Sequence, residues 1–299
     1  MLSRRALLAL GTASVLFPTP GLGQEKREGE GGIGGTGIVG VLTDFGSLIL
    51  AGSRVEFGRG TRFEDVFGPL SDERLRVGDS LTVEASGPAD ALVARRVRVN
   101  YPLIGTVTEA SGGRLVVNGT PVRLERSGGA RVGDRVAVLG VWRGNEVIAS
   151  RLAAPRSDRD LVSGTATRQG LGSRIGGLDI AGRGRSSLRN GGFGEAIGRY
   201  DPASGAFVAE RMITERFLSP REPLTRLAVE GYLEPAPGRP GFRVSGLGHS
   251  FARSLRLSGL SNQRILFVGD YNGLFAPTQA TRLPEAFAAR RALLRSLSQ

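Results

Sequence analysis

The tetrapeptide Arg-Val-Gly-Asp occurs twice in this chain, at Arg76–Asp79 and again at Arg131–Asp134. At the offset of these two motifs, residues 76–97 align with residues 131–152 without a gap. Apolar positions coincide along the alignment, and both segments end in the pattern Ala-x-Arg-apolar. The recurrence therefore marks the repetition of a whole structural unit, which constrains the fold more than any other feature of the sequence.

Two further copies are more divergent and lack the Arg-Val-Gly-Asp motif. The third begins at Ser163 and carries the Ala-x-Arg-apolar pattern at Ala209–Met212, and the fourth runs from Val229 to the segment Pro277–Leu283. Proline-bearing joints separate the four copies, as expected of linkers between small domains. The sequence therefore predicts four tandem units.

Within a unit the apolar residues alternate with polar ones, as Val55 and Phe57 do with Arg54 and Glu56. A period of two predicts half-buried strands, and the 46 glycines favour the tight turns that connect short strands. We predict an all-β fold of tandem small five-stranded barrels of the OB or SH3-like kind. A short C-terminal α-helix is expected at Pro284–Leu297, with Pro284 at its first position and apolar residues recurring at helical spacing.

The repeated motif has a structural interpretation. Gly78 and Gly133 are expected to adopt the positive φ of a tight turn, and Asp79 and Asp134 to bind backbone amides where the next strand begins. The valine of each motif, Val77 or Val132, is expected to turn inward. Catalysis by either aspartate is disfavoured because no second acid, base or metal ligand lies nearby in sequence.

The N-terminus has the pattern of an export signal, with Arg4 and Arg5 before a short apolar segment and small residues near Gly23. We expect a periplasmic or secreted protein exported by a Sec or twin-arginine signal. The apolar segment is too short to span a bilayer, so no transmembrane segment is expected in the mature chain. The chain has no cysteine, which excludes disulfides and thiolate metal sites.

These observations predict the organisation of the whole chain. The predicted segments are a signal peptide at 1–23, a flexible lead-in at 24–34, repeats at 35–100, 103–155, 160–218 and 226–283, and the helical segment 284–299.

The first copy resembles a known family. The stretches "GGIGGTGIVGVLTDFGSLILAGSRVEF", "LRVGDSLTVEA" and "VARRVRV" are similar to the secreted bacterial repeat family catalogued as domain of unknown function 5666. The second copy is recognisable in the same terms, and the third and fourth are divergent. The resemblance implies exported β-barrel repeats and supplies neither an activity nor catalytic residues.

Motifs for enzymatic chemistry are weak. Gly248-His249-Ser250 superficially resembles a serine nucleophile elbow, but His249 is the only histidine and adjoins the serine that it would have to activate. The acidic pairs Glu64-Asp65 and Asp72-Glu73 are interpreted as parts of a solvated loop. We therefore predict no catalytic residue, no metal site and no cofactor. The alternative is a hydrolase whose carboxylates meet between repeats.

Binding of an anionic partner is the favoured function. The segment 224–299 carries 10 basic and 4 acidic residues, so the positive charge is concentrated towards the C-terminus. The candidate anion-binding residues are Arg183, Arg185 and Arg189 on a Gly-rich loop, and Arg290, Arg291 and Arg295 on the predicted helix.

We therefore expect a non-enzymatic binding or structural protein of the bacterial cell envelope. The expected partner is an acidic polysaccharide, a lipid head group or an acidic envelope protein. Nucleic acid is disfavoured because exported proteins seldom meet it and because the repeats lack clustered aromatic residues. Trp142, Tyr200, Tyr232 and Tyr271 could stack on a ring, but packing explains such residues at least as well.

Overall fold

The computed structural model describes residues 34–126, 129–170, 172–217, 223–235, 241–248, 250–252 and 260–298. The predicted signal peptide, the lead-in up to residue 33 and His249 lie outside these residues. The described residues belong to one compact unit, Gly31–Gln299.

The strands are named by the four predicted segments, repeats 1 to 4, although the first strand of repeat 4 begins at Leu224, before the predicted start at residue 226. Repeat 1 contains β1 (Gly35–Val41), β2 (Leu48–Leu50), β3 (Ser53–Glu56), β4 (Arg62–Asp65), β5 (Gly68–Pro69), β6 (Ser80–Ser86) and β7 (Leu92–Val99). Repeat 2 contains β8 (Leu103–Ser111), β9 (Arg114–Val117), β10 (Thr120–Leu124), β11 (Arg135–Arg143) and β12 (Glu146–Ala153). Repeat 3 contains β13 (Asp160–Gln169), β14 (Gly172–Ile175), β15 (Leu178–Gly182), β16 (Phe193–Asp201) and β17 (Ala206–Ile213). Repeat 4 contains β18 (Leu224–Pro235), β19 (Gly241–Val244), β20 (Ser250–Ala252), β21 (Arg264–Tyr271) and β22 (Phe275–Arg282).

Repeats 2 and 3 are closed five-stranded barrels. In repeat 2 each strand pairs with the next in the order β8, β9, β10, β12, β11 and back to β8. In repeat 3 the corresponding order is β13, β14, β15, β17, β16 and back to β13. The third strand pairs with the fifth in parallel in both barrels. Closure removes exposed strand edges, which is why short strands form a stable unit. The predicted all-β class of small tandem barrels is confirmed.

Pairing also crosses between repeats. β1 of repeat 1 lies parallel to β18 of repeat 4, so these two repeats share one curled sheet. β8 of repeat 2 pairs with β13 of repeat 3 at Leu103 and Ile104. One buried cluster includes Ile38, Ile104, Ile197 and Leu266, one from each repeat. The four repeats therefore pack around a common core.

A β-bulge occurs between the last two strands of every repeat. The register shifts at Glu84/Ala85 in repeat 1, at Leu139/Gly140 in repeat 2, at Ile197/Gly198 in repeat 3 and at Val268/Gly269 in repeat 4. The opposing strands carry the Ala-x-Arg pattern, or Pro277-Thr278-Gln279 in repeat 4. This pattern thus marks the extra residue of a bulge, which bends the strand and increases its twist.

The predicted C-terminal helix is present as α1 (Phe287–Leu297). It begins at Phe287 and not at the predicted Pro284, because Ala286 at its N-cap still has an extended backbone. Leu294 is fully buried in the common core. The helix therefore closes one side of the described molecule by packing an apolar face against the sheet.

Candidate functional site

The two Arg-Val-Gly-Asp turns have the same internal geometry. Gly78 and Gly133 have φ values of +101° and +93°, which glycine adopts without steric cost. The backbone N–H of Arg76 donates to Asp79 Oδ2 at 2.9 Å, and that of Arg131 donates to Asp134 Oδ2 at 2.7 Å. We call residues 76–79 the first turn and residues 131–134 the second turn.

The first turn lies against the bulge of repeat 2. Arg151 pairs with Asp79 Oδ1 at 2.5 Å, and the hydroxyl of Ser150 donates to the carbonyl of Gly78 at 2.6 Å. Ser80, which follows the turn, donates to the carbonyl of Gly140 at 2.8 Å. Burial raises the pKa of Asp79, an effect larger than the lowering by Arg151 and by the Arg76 N–H. The first turn therefore joins two repeats.

The second turn has no such neighbour among the described residues. Asp134 is exposed, and a Cβ added to Gly133 would meet nothing within 4 Å. The expectation that the valine turns inward is wrong for Val132, whose exposed fraction is 63%. Among the elements that the structure describes, none packs over this turn to cover the side chain. Its exposure makes it a surface feature, which distinguishes it from the first turn.

The predicted arginine loop is exposed on repeat 3. Arg183 and Arg189 flank a short 3₁₀ segment that begins at Arg185, and Gly184 before it has a φ of +76°. Leu188 is buried and fixes the loop to the barrel. The guanidinium groups of all three arginines are therefore held on a defined loop.

A pocket of about 680 Å³ lies beside this loop. Its lining includes Arg189, Ser187 and Asn190 from the loop, Arg168 from the end of β13, and Glu215. The backbone N–H of Arg168 donates to Asn190 Oδ1 at 3.2 Å, which places Arg168 next to the loop. Arg168 could not be identified from the sequence alone, because the pairing of β13 with β16 brings it next to the loop.

Arg168 and Arg189 at this pocket, and Arg183 and Arg185 on the same loop, are available to bind an external group. In the part of the chain that the structure describes, no carboxylate lies within 4.0 Å of Arg168, Arg183, Arg185 or Arg189. Guanidinium groups bind carboxylate and phosphate oxygens in a fork geometry, and serine and asparagine side chains add hydrogen bonds. We call Arg168, Arg189, Ser186, Ser187 and Asn190 the arginine pocket.

The C-terminal arginines differ from the expectation of an exposed basic helix face. Arg290 is fully buried, and its guanidinium pairs with Glu125 at 2.6 Å and with Glu230 at 3.3 Å. Arg291 pairs with Asp44 at 3.0 Å, and Arg295 binds the second oxygen of the same carboxylate. These three arginines therefore fasten the helix to repeats 1, 2 and 4.

A buried charge network surrounds Arg290. Arg264 pairs with Glu230 at 2.8 Å and also with Glu125, and the N–H of Val41 donates to Glu230 at 3.0 Å. Charged side chains that are buried away from water are tolerated only when each is paired with an opposite charge, and removal of one partner is strongly destabilising. The network thus joins three repeats and the helix, and its carboxylates are engaged in ion pairs.

The acidic pairs of repeat 1 are only partly in a solvated loop. Asp65 is buried and accepts hydrogen bonds from Tyr101 at 3.0 Å and from the Phe67 N–H at 2.8 Å. Glu64 pairs with Arg96 at 2.5 Å. These contacts arise because the insertion forms strand β4 beside β7. Asp72 and Glu73 lie in a 3₁₀ turn without buried residues.

Within the described ranges, no group of three or more histidine, cysteine, aspartate or glutamate side chains is placed to hold a metal ion. The described part of the chain likewise contains no helix that is both long and apolar enough to cross a membrane.

The four large aromatic residues named from sequence are used in packing. Trp142 is buried, and its Nε1–H donates to the carbonyl of Ser163 at 2.6 Å. Gly164, Gly176 and Gly246 lie so close to the indole that a Cβ on any of them would clash with it. Tyr232 is buried, and its hydroxyl donates a hydrogen bond to the carboxylate of Glu285. Tyr200 lies over Gly119, and the ring of Tyr271 contacts that of Phe217.

Comparison with known proteins supports the resemblance of the first repeat. Residues 36–98 match the family model of a domain of unknown function, DUF5666. No curated protein and no solved structure gives a significant match to the chain. The matched segment runs from within β1 to within β7 and includes the first turn.

Proposed function

We propose that this chain is a non-enzymatic binding protein of the bacterial cell envelope, exported by its N-terminal signal, and that it holds an acidic polysaccharide in the arginine pocket of repeat 3. The observation that carries the proposal is the pocket itself. It is about 680 Å³ in volume and includes two arginines that have no carboxylate partner among the described residues. Its hydroxyl and amide groups match the hydroxyls of a sugar, and its guanidinium groups match uronic acid carboxylates.

The surroundings of the pocket support a binding role. Most buried carboxylates described above are paired with arginines that connect repeats, so they stabilise the assembly. A rigid framework reduces the entropy that a loop loses when it binds a ligand. We assign the arginine pocket, rather than the C-terminal helix, as the anion site because Arg290, Arg291 and Arg295 are already paired with carboxylates.

The test is binding of the full chain to polygalacturonate, measured by titration calorimetry at low and at physiological salt. The double substitution Arg168→Ala and Arg189→Ala should weaken binding by about tenfold or more, as expected for loss of charge-assisted hydrogen bonds. The matched control is Arg59→Ala with Arg114→Ala. These exposed residues also lack carboxylate partners in the described structure, so the control removes the same charge.

The control variant should bind within about twofold of the unsubstituted chain, since salt screens distant charges. Equal losses in both double variants would show that only net charge matters and would reject the pocket. Binding to vesicles that contain phosphatidylglycerol, without binding to polygalacturonate, would reject the polysaccharide in favour of a lipid head group. The full chain is required because β1 and β18 pair across its length.

A further inference from the structure

The contact between the first turn and the bulge of repeat 2 provides a pattern for recognising other contacts. It consists of an aspartate paired with the residue at the Arg position, a hydroxyl of the bulge bound to the turn carbonyl, and close packing of the turn glycine. The last feature is shown by a Cβ added to Gly78, which would lie 3.2 Å from the Cβ of Arg151. The second turn has the same internal geometry without this contact.

The bulges of repeats 1 and 3 are also engaged within the chain. In repeat 1, the hydroxyl of Thr61 donates to the carbonyl of Ala94 at 2.7 Å, and Glu64 pairs with Arg96. In repeat 3, Arg211 donates to the carbonyl of Val66 at 2.7 Å. The insertion of repeat 1 thus contacts the bulges of repeats 1 and 3.

The bulge of repeat 4 has the same local structure. Gly269 corresponds to Gly140, and a Cβ on either would lie 2.1–2.2 Å from a carbonyl of the opposing strand. Thr278 Oγ1 lies 3.3 Å from the carbonyl of Val268, as Ser150 Oγ lies 3.2 Å from that of Leu139.

Thr278 and Gln279 are both exposed. Among the described residues, neither is bound to a turn in the way that Ser150 and Arg151 are. The bulge of repeat 4 therefore presents a hydroxyl and a side-chain amide at the two positions that hold the first turn in repeat 2.

A groove lies beside this exposed bulge. It has a volume of about 440 Å³, is lined by Gln279 at one side, and has Ala228, Leu266 and Val268 among its apolar residues. The second turn presents the exposed side chain of Val132 next to the exposed Asp134. The bulge therefore offers hydrogen-bonding groups to the turn, and the groove offers apolar side chains to Val132.

We propose that the second turn of one copy of this protein docks on the repeat 4 bulge of a second copy. Asp134 accepts a hydrogen bond from the side-chain amide of Gln279, the hydroxyl of Thr278 donates to the carbonyl of Gly133, and Val132 enters the groove. The occupant is a second copy because this chain contains both halves of the contact. The contact made within the chain by the first turn defines its geometry.

The geometry of this contact determines the kind of assembly. The turn and the bulge are different surfaces, so each copy keeps one free turn and one free bulge after pairing. Such a heterologous contact extends head to tail unless the rotation closes a ring. The surface buried by one turn is small, and an amide replaces the guanidinium of Arg151, so the association is weak and depends on concentration.

The experiment is sedimentation velocity on the full chain over a concentration series up to about 1 mM, a range suited to weak complexes. The average sedimentation coefficient should rise with concentration. Asp134→Asn should reduce the rise. Gln279→Arg, which restores the residue type found in repeat 2, should strengthen association about two- to fivefold, the effect of one exposed ion pair. Ala276→Arg adds the same charge on an exposed position of β22 and should leave association unchanged.

A charge exchange tests the pairing directly. Asp134→Arg and Gln279→Glu should each self-associate less than the unsubstituted chain, and an equimolar mixture of the two should form heterodimers. Thermal melting by circular dichroism verifies that each variant folds. The proposal is overturned if Gln279→Arg stays monomeric over the whole range, or if Ala276→Arg strengthens association equally. Failure of the mixture to associate would also overturn it.

Discussion

The first and second turns share one tetrapeptide and one pattern of internal hydrogen bonds, yet one is buried between repeats and the other is exposed. In both turns the glycine has a positive φ and the aspartate binds the N–H of the arginine three residues earlier. The motif therefore needs only local interactions to form its turn. Its environment depends on the neighbouring repeat, so a turn of the same sequence serves as a joint in one place and as free surface in another.

The largest expected difference concerns the two aspartates. Asp79→Ala removes one partner of an ion pair in which Asp79 is 2% exposed and Arg151 is 29% exposed. We expect it to lower the free energy of unfolding by about 2–4 kcal/mol, somewhat less than for a fully buried pair. Asp134→Ala loses one turn hydrogen bond at the surface and should cost about 0.5–1 kcal/mol. Urea denaturation measures both, and equal losses would contradict the assignment of the first turn as a joint.

The turn glycines provide a second and smaller contrast. Alanine at either position adopts a left-handed conformation, which costs about 1–2 kcal/mol. At Gly78 the added Cβ also meets the Cβ of Arg151 at 3.2 Å and the carbonyl of Ser150 at 3.3 Å, whereas the space at Gly133 is open. We expect Gly78→Ala to be more destabilising than Gly133→Ala by about 1 kcal/mol, the lower limit for overpacking.

The denaturation midpoints and slopes of the two alanine variants test this contrast. The conformational cost is common to both positions, so it cancels in the difference between them. A larger loss at Gly133 would indicate that the second turn is also packed against a neighbour in solution. That result would be concentration-dependent if the neighbour were a second copy.

Local features of the fold could be predicted from the sequence because they depend on local chemistry. Alternation at a period of two revealed the strands, and Pro284 followed by apolar residues at helical spacing revealed the helix. The recurring Ala-x-Arg pattern marked corresponding places that the structure identifies as bulges. Each of these signals is contained within one repeat.

Features that depend on contact between repeats could not be predicted in this way. The parallel pairing of β1 with β18 joins two strands that are far apart in the sequence. A strand recognised only by its period of two could pair with many other strands, so the pattern does not identify its partner. The position of Arg168 beside the arginine loop depends on the length and pairing of β13. The burial of Arg290 could have been predicted, because it precedes the apolar Leu294 by four residues and therefore lies on the same helix face.

The smallest expected effect is the pH dependence that separates the first turn from the second. Burial raises the pKa of Asp79 above its ordinary value, and this outweighs the lowering by Arg151 and by the Arg76 N–H. Between the ordinary value and the raised one, the folded chain binds more protons at Asp79 than the unfolded chain does. The contribution of Asp79 to stability therefore increases as the pH falls through this window, because protonation removes the cost of burying a charge.

We expect the free energy of unfolding of the unsubstituted chain, relative to that of Asp79→Asn, to rise as the pH is lowered from 7 to about 4. Asp134→Asn serves as the control, since the same substitution at the exposed turn changes the same charge without the burial. Urea denaturation of all three proteins at each pH gives the comparison. If the stability of the unsubstituted chain relative to Asp79→Asn instead decreased as the pH was lowered, Arg151, and not burial, would govern this carboxylate.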